Sequence, residues 1–378
     1  MNQSATTVAI VTSGAYSVAN FRGTLIEELV ARGVRVLALA PDWSEATRAA
    51  TRALGAETVD ISLSRVGMDP KRDLADIVRL ARVLRRIRPD AVLTYFAKPN
   101  VYGMIAAALA RVPRRIAMVE GLGFVFDSSG PASRKASVVR AVTMRLYRVA
   151  LGFADKVLFL NRDDEAFFRA ERLVAPAKVV NTGGIGVDLK AFAATPAVTG
   201  PIVFLLMARL LRGKGVIEFA EAAARVKERS PATRFVLLGD VDANPDSLRR
   251  DEVIPWVTRG AIEWPGHVSD VRERLAAASV FVLPAWTREG LPRSTQEAAA
   301  MAKPVITTDV VGCRDTVVDG VNGFMVRAKD VDALAAAMMR FVEEPGLVTM
   351  MGAESRRIAE ERWDGRAKSA ALAEMLVG

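Results

Sequence analysis

A chain of 378 residues with 51% hydrophobic content can bury two cores of ordinary domain size, and it has no run of the roughly 18 to 20 uninterrupted apolar residues that a membrane span needs. Its one cysteine, Cys313, excludes an internal disulfide, and with His267 as the one histidine there is no Cys/His cluster for zinc, so thiol and metal chemistry are not expected. The formal charge of +9 is unevenly spread: residues 1–190 carry 28 Lys/Arg against 18 Asp/Glu, and residues 191–378 carry 24 against 25, which leaves nucleic acid, an anionic membrane surface and a phosphorylated substrate all open as partners of the front half.

The opening stretch, MNQSATTVAIVTSG, is too short and uncharged to act as a secretory leader, so a cytosolic protein is expected. TVAIVTS reads as a strand, followed by a turn at Gly14, a helix around Thr24 to Arg32 that stops at Gly33, and a second strand, VRVLALA. In DPKRDLADIVRLARVLRRIRP, Leu74, Ile77, Val78, Ala81 and Leu84 fall on one helical face, while Arg72, Arg79, Arg82 and Arg86 line the other. Strands DAVLTYF and RRIAMVEG come next, then a second basic segment, SRKASVVRAVTMRLYRVALGF, with Arg134, Lys135, Arg140, Arg145 and Arg148 among apolar residues, then KVLFLN and KVVNTGG. Basic helices of this kind can lie on anionic lipid, or be solvated helix faces and nothing more. At Pro201 the pattern restarts with PIVFLLMAR, a helix from Val216 to about Arg229, RFVLLGD, AIEWPG, SVFVLPA and KPVITTD. Apolar strands without strict alternation, separated by helices, indicate parallel sheets covered on both faces. Two successive doubly wound α/β domains are therefore expected, residues 1–188 and 189–355, with a helix over 356–378 packing back on the first. Gly183-Gly184-Ile185-Gly186 lies at their junction and reads as a hinge, because no long helix follows it as a dinucleotide loop would require.

Two stretches of the second domain could carry chemistry. Strand FLLMAR ends at Arg209, and Arg212-Gly213-Lys214-Gly215 precedes a helix; cations in a loop at the carboxyl end of a strand suit a diphosphate, and equally suit a solvated turn. Strand SVFVLPA leads into Arg288-Glu289-Gly290-Leu291-Pro292-Arg293, and a helix continues through Glu297. Ser294-Thr295-Gln296-Glu297 fits a capping box, in which Glu297 only returns a hydrogen bond to the helix start. If the helix starts near Pro292 instead, the free amides of Arg293 and Ser294 can take a phosphate and Glu297 can reach ribose hydroxyls. Asp240-Val241-Asp242 forms a D-x-D that is read as incidental, and Cys313 is read as packing.

Glu289 and Glu297 at E-x7-E spacing, with Arg209 and Lys214 upstream and Gly320-Val321-Asn322-Gly323-Phe324 downstream, resemble the family-4 glycosyltransferases of GT-B fold over nearly the whole chain. The resemblance implies an α/β fold of two Rossmann-like doubly wound domains facing across a crevice, and a retaining, metal-independent enzyme without cofactors that uses a nucleotide-diphosphate sugar, with a UDP-sugar favoured. It implies that Arg209 and Lys214 hold the donor diphosphate and neutralise the leaving group, that Glu289 binds the transferred sugar, that Glu297 binds the ribose, and that Gly290, Leu291, Pro292 and Arg293 complete the donor site. His267, with Val268, is read as a loop residue near the donor base and equally as a plain surface histidine; a loop histidine there is badly placed as the general base an inverting reaction wants. Gly14 would let backbone approach the donor phosphates. Lys98-Pro99-Asn100-Val101-Tyr102-Gly103, Glu120-Gly121-Leu122-Gly123-Phe124, the stretch from Lys214 to Phe219, and Asp242 with Asn244-Pro245 are most similar to transferases acting on undecaprenyl-diphosphate-linked saccharides. That likeness implies a lipid-linked saccharide acceptor and a peripheral enzyme on the cytosolic face of a bacterial membrane; Lys98 and Asn100, at the carboxyl end of DAVLTYF, are the candidates for its diphosphate, and Glu120 with Gly121, in the glycine-framed turn after RRIAMVE, for its sugar. Other readings are a soluble glycosyltransferase with a small acceptor, a nucleic-acid-binding protein, which the absence of aromatics interleaved with the basic runs disfavours, and a nicotinamide-dependent dehydrogenase, which SGAYSVANFRG disfavours because it lacks G-x-G-x-x-G.

Overall fold

The computed structural model describes residues 6–63, 69–122, 134–242, 244 and 246–378, with backbone only for 134–136. Residues 1–185 and 365–378 form one compact unit, and residues 186–364 form the other.

In the first unit, strands β1 (Thr7–Val11), β2 (Arg35–Ala40), β3 (Glu57–Asp60), β4 (Ala91–Tyr95), β5 (Arg114–Val119), β6 (Lys156–Phe159) and β7 (Val179–Asn181) form a seven-stranded sheet in the order β3-β2-β1-β4-β5-β6-β7. Every pairing is parallel. Its helices are α1 (Tyr16–Ala31), α2 (Glu45–Ala53), α3 (Pro70–Ile87), α4 (Met104–Leu109), α5 (Arg134–Gly152) and α6 (Arg162–Ala170). All five residues of TVAIV and of AVLTY are buried, which only a sheet covered on both faces permits. Asp69 accepts from the Lys71 and Arg72 amides in the first turn of α3 and Asn161 from the Asp164 amide in the first turn of α6, and Pro70, lacking a donor, opens α3 at no hydrogen-bond cost.

In the second unit, β8 (Val203–Met207), β9 (Arg234–Leu238), β10 (Glu263–Gly266), β11 (Val280–Leu283), β12 (Val305–Thr308) and β13 (Gly323–Val326) form a six-stranded parallel sheet in the order β10-β9-β8-β11-β12-β13. Its helices are α7 (Val216–Arg229), α8 (Arg250–Thr258), α9 (Arg272–Ala276), α10 (Arg293–Ala300), α11 (Val331–Glu343) and α12 (Gly346–Arg362); α13 (Gly365–Val377) returns to the first unit. The two sheets share one topology, with a reversal of strand order between β1 and β4 and between β8 and β11.

Three features differ from expectation. Helix α1 begins at Tyr16, not near Thr24, because Ser17 Oγ donates to the Gly14 carbonyl at 2.5 Å and closes the first turn directly after Gly14. The face of α3 turned inward carries Asp73, Asp76, Ile77, Leu80, Ala81 and Leu84, while Leu74 and Val78 are 63% and 37% exposed. The aspartates face inward because donors wait there: Lys98 and Tyr102 for Asp73, and Ser62 for Asp76. The single helix expected over 356–378 is two, since the chain breaks at buried Trp363, whose carbonyl accepts from Val187 N at 3.0 Å, so α12 stays with the second unit and only α13 joins the first.

Candidate functional site

In an open parallel sheet a ligand sits beyond the carboxyl ends of the strands, where their order reverses. In the second unit that point lies between the loops after β8 and β11. After β8 and Arg209, the chain makes a 3-10 turn over Arg212–Lys214, and Gly215, at φ +75°, turns it into α7. A Cβ at Gly215 would overlap the Pro284 carbonyl oxygen, so glycine there lets the β8 loop lie directly on the β11 loop. Lys214 Nζ donates to Glu289 Oε1 at 2.5 Å, the two side chains being 20% and 15% exposed. Helix α10 begins at Arg293 with Pro292 at its N-cap and no side-chain cap, so Ser294-Thr295-Gln296-Glu297 does not form a capping box; Thr295 Oγ1 donates back to the Pro292 carbonyl at 2.7 Å instead. Glu297 therefore lies one turn inside the helix, accepting from Arg293 Nε at 2.7 Å. Burial holds its carboxyl above the ordinary carboxylate range, against the opposing pull of the Arg293 guanidinium.

Around this core, Arg209 is half-exposed and pairs with Asp242 at 2.9 Å, and Asp240 accepts from Arg250 at 2.7 Å, so each aspartate of the D-x-D faces a guanidinium. Arg212 turns away to Glu252 at 2.5 Å, which leaves Lys214 as the cation of that loop set on Glu289. Exposed His267 and half-buried Val268 follow the edge strand β10; Gly290 is half-buried, and Leu291 and Pro292 are buried. The Asn322 amide of GVNGF is buried and bridges Val318 N and the Thr316 carbonyl, so that motif closes a turn before β13. Cys313 is fully buried, and burial, then the charge of Glu289, pushes its thiol up to about 12, which keeps it protonated at neutral pH.

Sequence pattern alone misses two supports of this site. Gln296 is fully buried; its Oε1 accepts from Gly186 N at 3.1 Å and its Nε2 donates to the Leu291 and Pro292 carbonyls at 3.3 Å, locking the turn ahead of α10. Gly312, at φ +81°, lies so close to the turn after β11 that a Cβ would overlap the Glu289 carbonyl oxygen. A glutamine in the Ser/Thr-containing start of the helix and a glycine before the lone cysteine were the available signals.

In the first unit, Gly14, Lys98, Asn100, Glu120 and Gly121 all lie past the carboxyl ends of β1, β4 and β5. Gly14 faces open space, with nothing within 4 Å of a Cβ placed there. Lys98 Nζ donates to Asp73 Oδ1 at 3.0 Å, and Tyr102 Oη donates to Asp73 Oδ2 at 2.9 Å. Asn100 is 1% exposed, accepting from Thr94 Oγ1 and donating to the Met118 carbonyl, both at 2.7 Å. It is an internal tie between β4 and β5, and the reading of Asn100 as a diphosphate ligand is corrected accordingly: both ends of its amide are already used. Glu120 forms an ion pair with Arg22, a residue the sequence pattern gave no reason to single out, and Gly121 takes φ +121°. Gly123 and Phe124 of the same motif, and Pro245, lie outside the described residues.

A lysine, two glutamates and a helix start near the switch point of a parallel sheet have the chemistry that suits a phosphate ester bearing hydroxyls, and two Rossmann-like units in one chain are the architecture of GT-B enzymes. The comparisons agree. Residues 18–183 match the family model described as glycosyl transferase 4-like domain, and residues 201–344 match glycosyl transferases group 1. The N,N'-diacetylbacillosaminyl-diphospho-undecaprenol alpha-1,3-N-acetylgalactosaminyltransferase of Campylobacter jejuni is 30% identical over 88% of this chain and 88% of its own. The UDP-Gal:alpha-D-GlcNAc-diphosphoundecaprenol alpha-1,3-galactosyltransferase of Escherichia coli is 28% identical over 74% of this chain and 73% of its own. The crystal structure of Anabaena HepE in complex with UDP superposes with a TM-score of 0.77 at 16% identity, covering 97% of this chain and 98% of that one, which shows the shared fold. The chain belongs to the group 1, family-4 glycosyltransferases of GT-B fold and is a glycosyltransferase.

Proposed function

We propose that the enzyme transfers a sugar, with retention, from a UDP-sugar to an undecaprenyl-diphosphate-linked saccharide at the cytosolic face of a membrane during surface glycan assembly. The observation that carries this is the Lys214–Glu289 pair lying at the switch point of the second unit, with Glu297, its side chain 12% exposed, one turn into α10. Departure of a nucleoside diphosphate concentrates negative charge on phosphate oxygens; Lys214, released from Glu289, and the half-exposed Arg209 supply fixed cations for it. Glu289 then accepts from hydroxyls of the transferred sugar, and Glu297 from the ribose. As the bond from the anomeric carbon to the diphosphate breaks, the acceptor hydroxyl oxygen bonds that carbon from the same face and its proton passes to the departing phosphate, so no metal and no separate protein base are required.

The lipid-linked acceptor is supported by the names of the two relatives and by the surface of the first unit. No helix among the described residues is long and apolar enough to cross a membrane. The outward face of α3 combines Leu74 and Val78 with exposed Lys71, Arg72, Arg79 and Arg82, and that of α5 combines Val138, Val142 and Val149 with exposed Arg145 and Arg148. Apolar residues among cations suit an anionic lipid surface, each charge adding about 1 kcal/mol near it.

The test is a thermal-shift titration with UDP, GDP, ADP and NAD, followed by UDP-sugars with short-chain undecaprenyl-diphosphate saccharide analogues and flotation with anionic liposomes. UDP at a hundred times its dissociation constant should stabilise by about 2.7 kcal/mol. Failure of every nucleoside diphosphate to bind sinks the donor assignment; turnover of small acceptors only, without liposome binding, replaces the lipid-linked reading by that of a soluble transferase.

A further inference from the structure

We infer that Arg22 is the positioning residue that sets Glu120 for the acceptor saccharide; this rests on the transferase reading above. Arg22 lies on α1 and is 2% exposed, yet its guanidinium reaches the loop after β5. Its Nη2 pairs with Glu120 Oε1 and meets Met118 Sδ at 3.3 Å, its Nη1 donates to the Phe21 carbonyl at 2.9 Å, and its Cζ lies over the Tyr95 ring, 4.2 Å from the centroid. Tyr95, fully buried, shares a hydrogen bond with Ser17 Oγ at 2.7 Å, and Ser17 Oγ donates to the Gly14 carbonyl at 2.5 Å. One connected chain of groups thus runs from Gly14 past β1 to Glu120 past β5, crossing the switch point between β1 and β4.

Three observations set this apart from ordinary packing. A buried ion pair is commonly no more stable than apolar side chains of the same volume, so stability alone does not account for one here. Arg22 Nε is buried without a hydrogen-bond partner, so the guanidinium is arranged for Glu120 and Tyr95 and not for its own full satisfaction. Only one carboxylate oxygen of Glu120 is engaged by Arg22, and the side chain remains 10% exposed, which leaves the other oxygen to accept from a ligand hydroxyl. A flat guanidinium can lie over Tyr95 and pair with Glu120 at once; a lysine ammonium at the same site cannot do both.

The experiment compares wild type with Arg22→Lys, Arg22→Met, Glu120→Gln and the double variant Arg22→Met/Glu120→Gln, reading melting temperature, UDP affinity and the KM for a short-chain undecaprenyl-diphosphate saccharide. The inference expects Arg22→Lys and Glu120→Gln each to raise the acceptor KM about tenfold or more, the scale of one charge-assisted hydrogen bond. UDP affinity should stay at the wild-type value. Arg22→Met should lower the melting temperature by stranding Glu120, and the double variant should regain much of it while keeping the raised KM. A double variant, or a folded Arg22→Lys, with the wild-type acceptor KM overturns the inference. A wild type that binds UDP but transfers only to small saccharides overturns the lipid-linked reading instead, and the same variants then judge Arg22 on that acceptor's KM.

Discussion

The two units repeat one topology and use its switch point in opposite ways. In the first, Lys98 and Tyr102 both donate to Asp73, with Lys98 and Asp73 only 13% and 8% exposed, and Asn100 is sealed between β4 and β5. The groups nearest the reversal of that sheet mostly satisfy one another, and exposed cations of the front half include Lys71, Arg72, Arg79 and Arg82 on α3 and Arg145 and Arg148 on α5. In the second unit, Lys214 pairs with Glu289 while Arg209 stays half-exposed, and Glu297 is kept under a helix start with one arginine for company. On the proposed function, net charge is a poor guide to the chemistry: the half of the chain near neutrality holds Lys214 and Arg209, proposed for the diphosphate, whereas the lysine at the basic half's switch point is paired with the buried Asp73.

The sharpest way to break that comparison is to remove a cation from each side of it. Lys214→Ala should lower kcat by a hundred- to a thousand-fold, about 3 to 4 kcal/mol of transition-state stabilisation, with Arg209→Ala in the same direction. Arg209→Ala should leave the denaturant midpoint nearly unchanged, because a pair this open to solvent contributes about 0 to 1 kcal/mol, and Lys214→Ala should cost less stability than loss of the more deeply buried Lys98–Asp73 pair. An equal loss of stability in urea titrations would mean that the Lys214–Glu289 pair is structural. Asp73→Asn should do the reverse. Removing one member of a buried pair costs about 3 kcal/mol or more of stability, while UDP affinity should hold. A stable Asp73→Asn protein with impaired acceptor turnover would show that Lys98 serves the ligand after all.

What could be read from the sequence follows the same division. Apolar runs separated by helical segments were enough to draw two wound sheets, and E-x7-E with its upstream cations was enough to single out Arg209, Lys214, Glu289 and Glu297, because the loops after β8 and β11 and the helix that follows the second are legible from the strands before them. The orientation of α3 was not, since amphipathic periodicity assigns charged residues to solvent and cannot foresee that Asp73 and Asp76 find donors inside. The same blindness hid Arg22 on α1 and Gln296 on α10: a buried polar residue is specified by partners far away in sequence, such as Glu120 for Arg22 and Gly186 for Gln296. Asn100 was misread for the complementary reason, its place past a strand end suggesting a ligand when both halves of its amide close onto neighbouring strands.

Two ionisable groups of low exposure in the second unit, Glu297, proposed to serve the donor, and Lys303, which is not, can be separated by pH. Burial raises the Glu297 carboxyl above its unfolded value, so its contribution to stability is fully present below the ordinary carboxylate range and is lost as pH rises through the folded value. At neutral pH, Glu297→Gln should therefore melt at or above the wild-type temperature, the gap closing in acid, while UDP affinity falls about tenfold for the lost charged acceptor. Calorimetry at stepped pH reads the first and isothermal titration the second; a variant that melts lower at neutral pH and binds UDP normally would return Glu297 to a purely structural role.

Lys303 supplies the control. It is 1% exposed, its ammonium donates to the Ala276 carbonyl at 3.0 Å, and burial lowers its pKa from 10.5 to about 8. A depressed amine favours the folded state fully only above the unfolded value, and that contribution is lost as pH falls through the folded one, so stability should climb between about pH 8 and the usual lysine range. Lys303→Met removes the titration. Its melting temperature relative to wild type should be most favourable below pH 8 and decline towards pH 10, with UDP affinity unchanged throughout. A flat difference across that range would mean that Lys303 is hydrated in solution, and a loss of UDP binding would place it with Lys214 among the groups that serve the donor.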